Sequence, residues 1–125
     1  MKVKIIDMDK PNANGRIYPL TVVENAFKKY KEHMIDKGSA IIFNKNSNDL
    51  ANAYGIVKDI TIEGKEGFVE LKPLSLNGVE TFTSLLEHNK LSVVTSGIGT
   101  VKDNVIQDDF ELRWLFLTDD PSHSN

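Results

Sequence analysis

Short apolar segments with a period of two, separated by tight turns, recur along this chain and restrict it to few folds. Lys2 to Asp7 sets Val3 and Ile5 against Lys2 and Lys4, the pattern of a half-buried first strand. Ala40 to Phe43 is a short apolar strand, followed by a polar, asparagine-rich loop from Asn44 to Asn52. Tyr54 to Ile62 alternates again, with Ile56, Lys58, Ile60 and Ile62 on one parity and Val57, Asp59 and Thr61 on the other. EGKEG at Glu63 to Gly67 supplies a turn and Phe68 to Leu71 a return strand, so this region reads as a β-hairpin. Leu91 to Val101 runs an apolar strand into Thr95 and Ser96, then into Gly97 and Gly99. After a turn at Lys102 to Asn104, Val105 to Leu112 reads as a strand and Trp114 to Leu117 as an apolar run buried on both faces. Six or seven short strands must hide their edges. The prediction is a mostly β domain with two helices, its strands forming a small closed or partly closed barrel.

The first helix is punctuated at both ends. Thr21 and Glu24 have the spacing of a capping box, and Lys37-Gly38 is a stop signal, which predicts a helix over Thr21 to Lys37. Val23, Ala26, Phe27, Tyr30 and Met34 recur at helical spacing and form its core-facing stripe. Asn77-Gly78 caps a second, shorter helix in which Val79, Phe82, Leu85 and Leu86 share a face, and Asn89-Lys90 closes it. Before the first helix, DKPNANGRIYP packs two prolines, two asparagines and a glycine around Arg16 and Tyr18; Asn14-Gly15 is a strong turn signal.

Composition narrows the functional classes. A chain of 125 residues is large enough for one domain with a real core, burying roughly two-thirds of its unfolded surface. Its 15 basic and 18 acidic residues give a net charge of -3, so a nucleic-acid partner is not expected. With no cysteine and three scattered histidines, neither a disulfide framework nor a metal or cofactor site is expected. No apolar run approaches the roughly 20 residues that cross a bilayer, and Met1 to Lys10 alternates where a signal peptide is continuously apolar. The expectation is a protein made and kept in a cytosol-like compartment, without a membrane partner.

The order of the pieces carries a resemblance. NANGRIYP, an amphipathic helix, AIIFN, a hairpin, a second helix, VVTSGIGTV and VIQDDFELRWLFLTDDPS are collinear from about Pro11 to Ser122. This arrangement resembles the prohead maturation proteases of tailed bacteriophages, serine proteases similar in fold to herpesvirus assemblins that trim scaffold and capsid proteins. The resemblance implies a general base where the family reads like GELNHP. Here that string is AIIFNK, so the base position falls on Asn44, or on Phe43 or Lys45 one register step away. The family's nucleophile string reads like GVSSRG. Here SVVTSG sets Val94 and Thr95 on the serine positions and Ser96 on that of the arginine that supports the oxyanion. All three chemical roles are substituted, while Gly97, Gly99, the NG-R-x-Y-P turn and the D-P-S string remain.

These substitutions bear directly on activity. A hydroxyl is a weak nucleophile unless a base takes its proton, and an asparagine amide takes none near neutral pH. Losing a triad member costs about 10⁴-fold or more. His33 on the flank of the first helix, His88 at the end of the second and His123 in the tail read as surface or capping residues, with a displaced base as the alternative. Asp108, Asp109 and Glu111 read as turn and strand-surface groups, and Asp119 and Asp120 as solvated ones. The resemblance thus implies a degenerate, non-catalytic phage head protein, a capsid decoration or prohead core component. Its expected partners are capsid or scaffold proteins, a second copy of itself or a true prohead protease, in the phage head or in the host cytoplasm during assembly. The alternatives are an active divergent protease using Thr95 or Ser96, and a regulator of the true protease.

Overall fold

A hairpin sets the frame of the structure. The computed structural model describes residues 1–44, 53–74 and 79–118, except the side chains of Asn44, Val79 and Thr81. Residues 45–52 of the predicted Asn44–Asn52 loop, the Asn77-Gly78 cap and the tail with Asp119, Asp120 and His123 lie outside the described residues. Asn44 itself is not loop but the last residue of a strand, held by backbone pairing. Strands β3 (Ala53–Glu63) and β4 (Glu66–Pro73) pair antiparallel around the turn Gly64–Lys65, where Gly64 takes a φ of 60°. The pairing shifts between Val57 and Asp59, leaving Lys58 as an extra residue. Such a bulge resets the pleat. Val57 and Ile60, assigned to opposite parities by strict alternation, are therefore both buried, while Ile56 is half-buried.

The sheet grows outward from this hairpin. β1 (Lys2–Asp7) joins β4, with a second register shift between Lys4 and Ile6 that lets both Ile5 and Ile6 enter the core. β2 (Ile41–Asn44) pairs antiparallel with β3 and parallel with β8 (Glu111–Thr118), and β8 pairs antiparallel with β5 (Ser92–Ile98). The order is β1-β4-β3-β2-β8-β5. The two edge strands, β1 and β5, approach each other, so the mixed sheet curls into a partly closed barrel, as expected. β6 (Val101–Lys102) and β7 (Val105–Ile106) form a separate ribbon around Asp103 and Asn104, both at positive φ.

Val105 to Leu112, predicted as one strand, is not continuous. It breaks into β7, a turn, and the start of β8, because Asp109 folds back onto Thr100. The Thr100 amide and hydroxyl donate to the Asp109 carboxylate at 2.8 and 2.6 Å, and the Gln107 amide donates to the Thr100 carbonyl at 2.9 Å. Phe110 is thereby turned into the core.

Helix α1 (Leu20–Tyr30) continues into one wider π turn over Lys31–Ile35, and Gly38, at φ 70°, ends the segment. The predicted capping box does not form. Pro19 is the N-cap residue, Thr21 lies inside the first turn, and no side chain of the cap itself is bonded. The Leu20 amide is instead satisfied by the Asp9 carboxylate at 3.0 Å, a better-placed acceptor brought in by the preceding turn. The stripe is otherwise as expected: Val23, Ala26, Phe27 and Tyr30 are buried and Met34 packs beside them. Phe27 rests on Gly67, where a Cβ would lie 2.8 Å from its ring, so glycine in β4 lets the helix sit down on the sheet. Helix α2 (Val79–Glu87) is fixed by a 2.6 Å hydrogen bond between the Tyr54 and Thr83 hydroxyls and by the edge-on contact of Tyr54 with Phe82. Among the described residues, no helix is long and apolar enough to cross a membrane.

Candidate functional site

β8 lies between β2 and β5, and its register sorts the candidate residues onto two faces. Phe43 pairs with Phe116, and Phe116 with Val94; one step on, Trp114 pairs with Ser96. Successive side chains of a strand point to opposite faces, so these five share one face. Ile42, Leu115 and Thr95 align on the other, together with Leu117 and Val93. That second face belongs to the main core, which contains Ile42, Leu115, Leu117 and Val93. The first carries a separate aromatic group. Trp114 meets Phe43 edge-on at 5.9 Å, and Phe116 lies tilted against Phe43 at 6.3 Å. Phe43 and Phe116 are only 3% and 6% exposed, whereas Trp114 is half-buried.

Thr95 and Ser96 are thus neighbours in sequence on opposite faces of β5, both half-buried. The Asn44 backbone aligns with Leu117 and, through it, with Val93. It is two strands across and two residues along from Thr95, a backbone separation of roughly 12 Å. Ser96 lies one residue farther along. On β2, Ile41 and Phe43 share the face of Val94 and Ser96, and Phe43 is the one aligned, through Phe116, with Val94.

Among the described residues, no side chain hydrogen-bonds to the hydroxyl of Thr95 or Ser96. His33 is exposed on the π turn, and exposed His88 sets its Nδ1 against the Ser84 carbonyl at 2.8 Å within the last turn of α2. Glu111 pairs with Arg113 at 3.0 Å on the strand surface. Asp109 is held below the usual carboxylate range, first by the Thr100 hydroxyl and then by the Thr100 amide. No group of three or more metal-ligating side chains occurs among the described residues.

Gly97 and Gly99 serve close packing of strand on strand. A Cβ on Gly97 would collide with the Glu111 carbonyl oxygen and lie 2.7 Å from the Phe110 ring; one on Gly99 would lie 2.9 Å from the Phe110 Cα. The NANGRIYP turn meets the same region. Ile17 bridges Pro11 on one side and Val105 on the other, and Tyr18 stands edge-on to Phe110 at 5.5 Å. Burial pushes the Tyr18 hydroxyl up in pKa. The convergence of this turn, the two glycines and Phe110 was not read from the sequence; the apolar pair Ile17-Tyr18 inside a turn composition was its signal.

In overall shape the chain is similar to the bacteriophage T4 capsid assembly protease, gp21, with a TM-score of 0.82 and 16% sequence identity. The match covers 94% of this chain and 79% of that one. This chain has that protease's fold. No family model and no curated protein sequence matches it. The fold expected from the collinear motifs is therefore supported by three-dimensional similarity. Burial of the WLFL run on both faces was expected from its apolar residues on both parities; the part of Phe43 in the aromatic face with Trp114 and Phe116 depends on strand pairing and has no local sequence signal.

Proposed function

We propose that the chain is a non-catalytic component of phage head assembly, one that uses the fold of a capsid assembly protease to bind capsid or scaffold proteins. The fold similarity supports the assembly role. One observation carries the non-catalytic reading: on the sheet face that presents Val94 and Ser96, β2 offers the ring of Phe43. A phenyl ring neither takes nor gives a proton, so a hydroxyl on that face gains no base from β2. Asn44, the base position by motif, is aligned with Leu117 rather than with either hydroxyl. Its amide is no base at neutral pH in any case.

The binding role is tested by the protein content of purified proheads and finished heads. A fixed copy number relative to the major capsid protein in both identifies a structural part. Presence in proheads alone identifies a core component or a regulator of the true protease. Absence from both overturns the assignment.

A further inference from the structure

The Asn14–Gly15 pair stands at the exposed tip of the loop that anchors the β6–β7 ribbon. A Cβ built on Gly15 would meet nothing within 4 Å, so no neighbouring group crowds the peptide bond between the two residues. Asn12 holds the tip together. Its Oδ1 accepts from the amides of Asn14 and Arg16 at 2.9 and 3.0 Å, its carbonyl accepts from the Gly15 amide at 2.9 Å, and its own amide donates to the Arg16 carbonyl at 2.9 Å. Asn12, Asn25, Asn89 and Asn104 are each followed by a residue with a side chain, which hinders approach of the following nitrogen. Asn14 is followed by glycine, which does not.

We propose that Asn14 is a site of self-modification gated by Asn12. The Gly15 nitrogen, after losing its proton to solvent, attacks Asn14 Cγ. The new N–Cγ bond closes a succinimide while the Cγ–Nδ2 bond breaks and ammonia leaves. Water then adds to one of the two ring carbonyls and opens the ring, giving either aspartate or isoaspartate. One water enters and one ammonia departs, so no oxidant, reductant or cofactor is required. The Gly15 nitrogen is not free to attack while its hydrogen is donated to the Asn12 carbonyl, and the rate therefore follows opening of the tip.

The product matters to the fold. It places a negative charge beside Arg16, and the isoaspartyl form lengthens the backbone inside the Asn12–Arg16 pairing. The next residue, Ile17, donates its amide to the Asn104 carbonyl at 2.8 Å and accepts the Ile106 amide at 2.9 Å. Modification of Asn14 loosens this anchorage of the β6–β7 ribbon.

The test ages the full chain at mildly alkaline pH and follows each asparagine by peptide mass spectrometry. Asn14 is expected to convert ahead of Asn12, Asn25, Asn89 and Asn104. Asn12→Ala removes both side-chain hydrogen bonds that hold the tip and is expected to speed its conversion at least about fivefold, the factor matching the net worth of one of them. Asn77-Gly78, the other Asn-Gly pair of the sequence, should keep its rate and serves as an internal clock. Should Asn12→Ala fail to fold, the wild-type chain supplies the second measurement: Asn14 should convert faster in denaturant than in the folded state by at least the same factor. The proposal is overturned if folded Asn14 converts no faster than Asn104, if Asn12→Ala leaves its rate unchanged, or if the native and denatured rates agree.

Discussion

Phe43 lies directly opposite Phe116 in the parallel pairing of β2 with β8, and both rings are almost wholly buried although they face away from the main core. The pair, closed by Trp114, is a second apolar cluster on the other side of the sheet. Phe43→Ala should therefore cost about 3–5 kcal/mol, the range for deleting a buried phenyl group. Denaturant unfolding of the isolated domain measures it. A loss below about 1 kcal/mol would show that the ring is not packed as described.

Gly97 has no room for a side chain against Glu111 and Phe110. Gly97→Val should destabilise the domain by about 2 kcal/mol or more, since β8 or Phe110 must move. Ile98→Ala, next to it but 55% exposed, should stay within about 0.5 kcal/mol of wild type. Equal stability of the two variants would remove the close-packing role from Gly97.

These contacts also show which parts of the structure could be read from sequence. The β3–β4 hairpin and the α1 stripe were legible because their signals are local: alternation, a glycine turn and helical spacing. The bulges after Val57 and Lys4 were not, because an extra residue in a strand is defined only by its partner. Thr21 and Glu24 have the spacing of a capping box, yet Asp9, eleven residues upstream of Leu20, supplies the cap, a tertiary contact that no local pattern reports. The candidate site shows the same division. Asn44, Thr95 and Ser96 could be named from collinear motifs. That Thr95 and Ser96 fall on opposite faces, with Phe43 beside Ser96's face, depends on the register of β8 against two strands distant in sequence.

Asp109 couples the Thr100 turn to acid. Its carboxyl lies below the usual range because the Thr100 hydroxyl, and then the Thr100 amide, donates to the ionised form. A depressed folded-state pKa contributes stability above the ordinary aspartate range and loses it as pH falls through the folded value. Wild type should therefore exceed Asp109→Ala in stability at neutral pH, with the difference shrinking below about pH 4. Unfolding curves over an acid pH series measure this. A difference independent of pH would separate the turn from the ionised carboxylate.

Tyr30 gives the opposite dependence. Burial in the α1 stripe raises its hydroxyl far above the ordinary tyrosine value, so the folded state holds its proton where the unfolded chain loses it. That contribution is complete below about pH 10 and declines as pH rises above it. Tyr30→Phe should lose less stability than wild type across that alkaline range, as measured by thermal unfolding. Parallel decline of the two proteins would place the alkaline sensitivity elsewhere.

The claim that this protease fold has no protease activity is tested most directly by incubating the purified chain with precursor capsid and scaffold proteins and, separately, with a serine-directed fluorophosphonate probe. Thr95→Ala and Ser96→Ala variants run in parallel. Without a positioned base, a hydroxyl forgoes the roughly 10² to 10⁴ that general-base catalysis supplies, so neither specific cleavage nor labelling is expected. Specific cleavage or labelling that disappears in either variant would contradict the account and make this chain an active assembly protease.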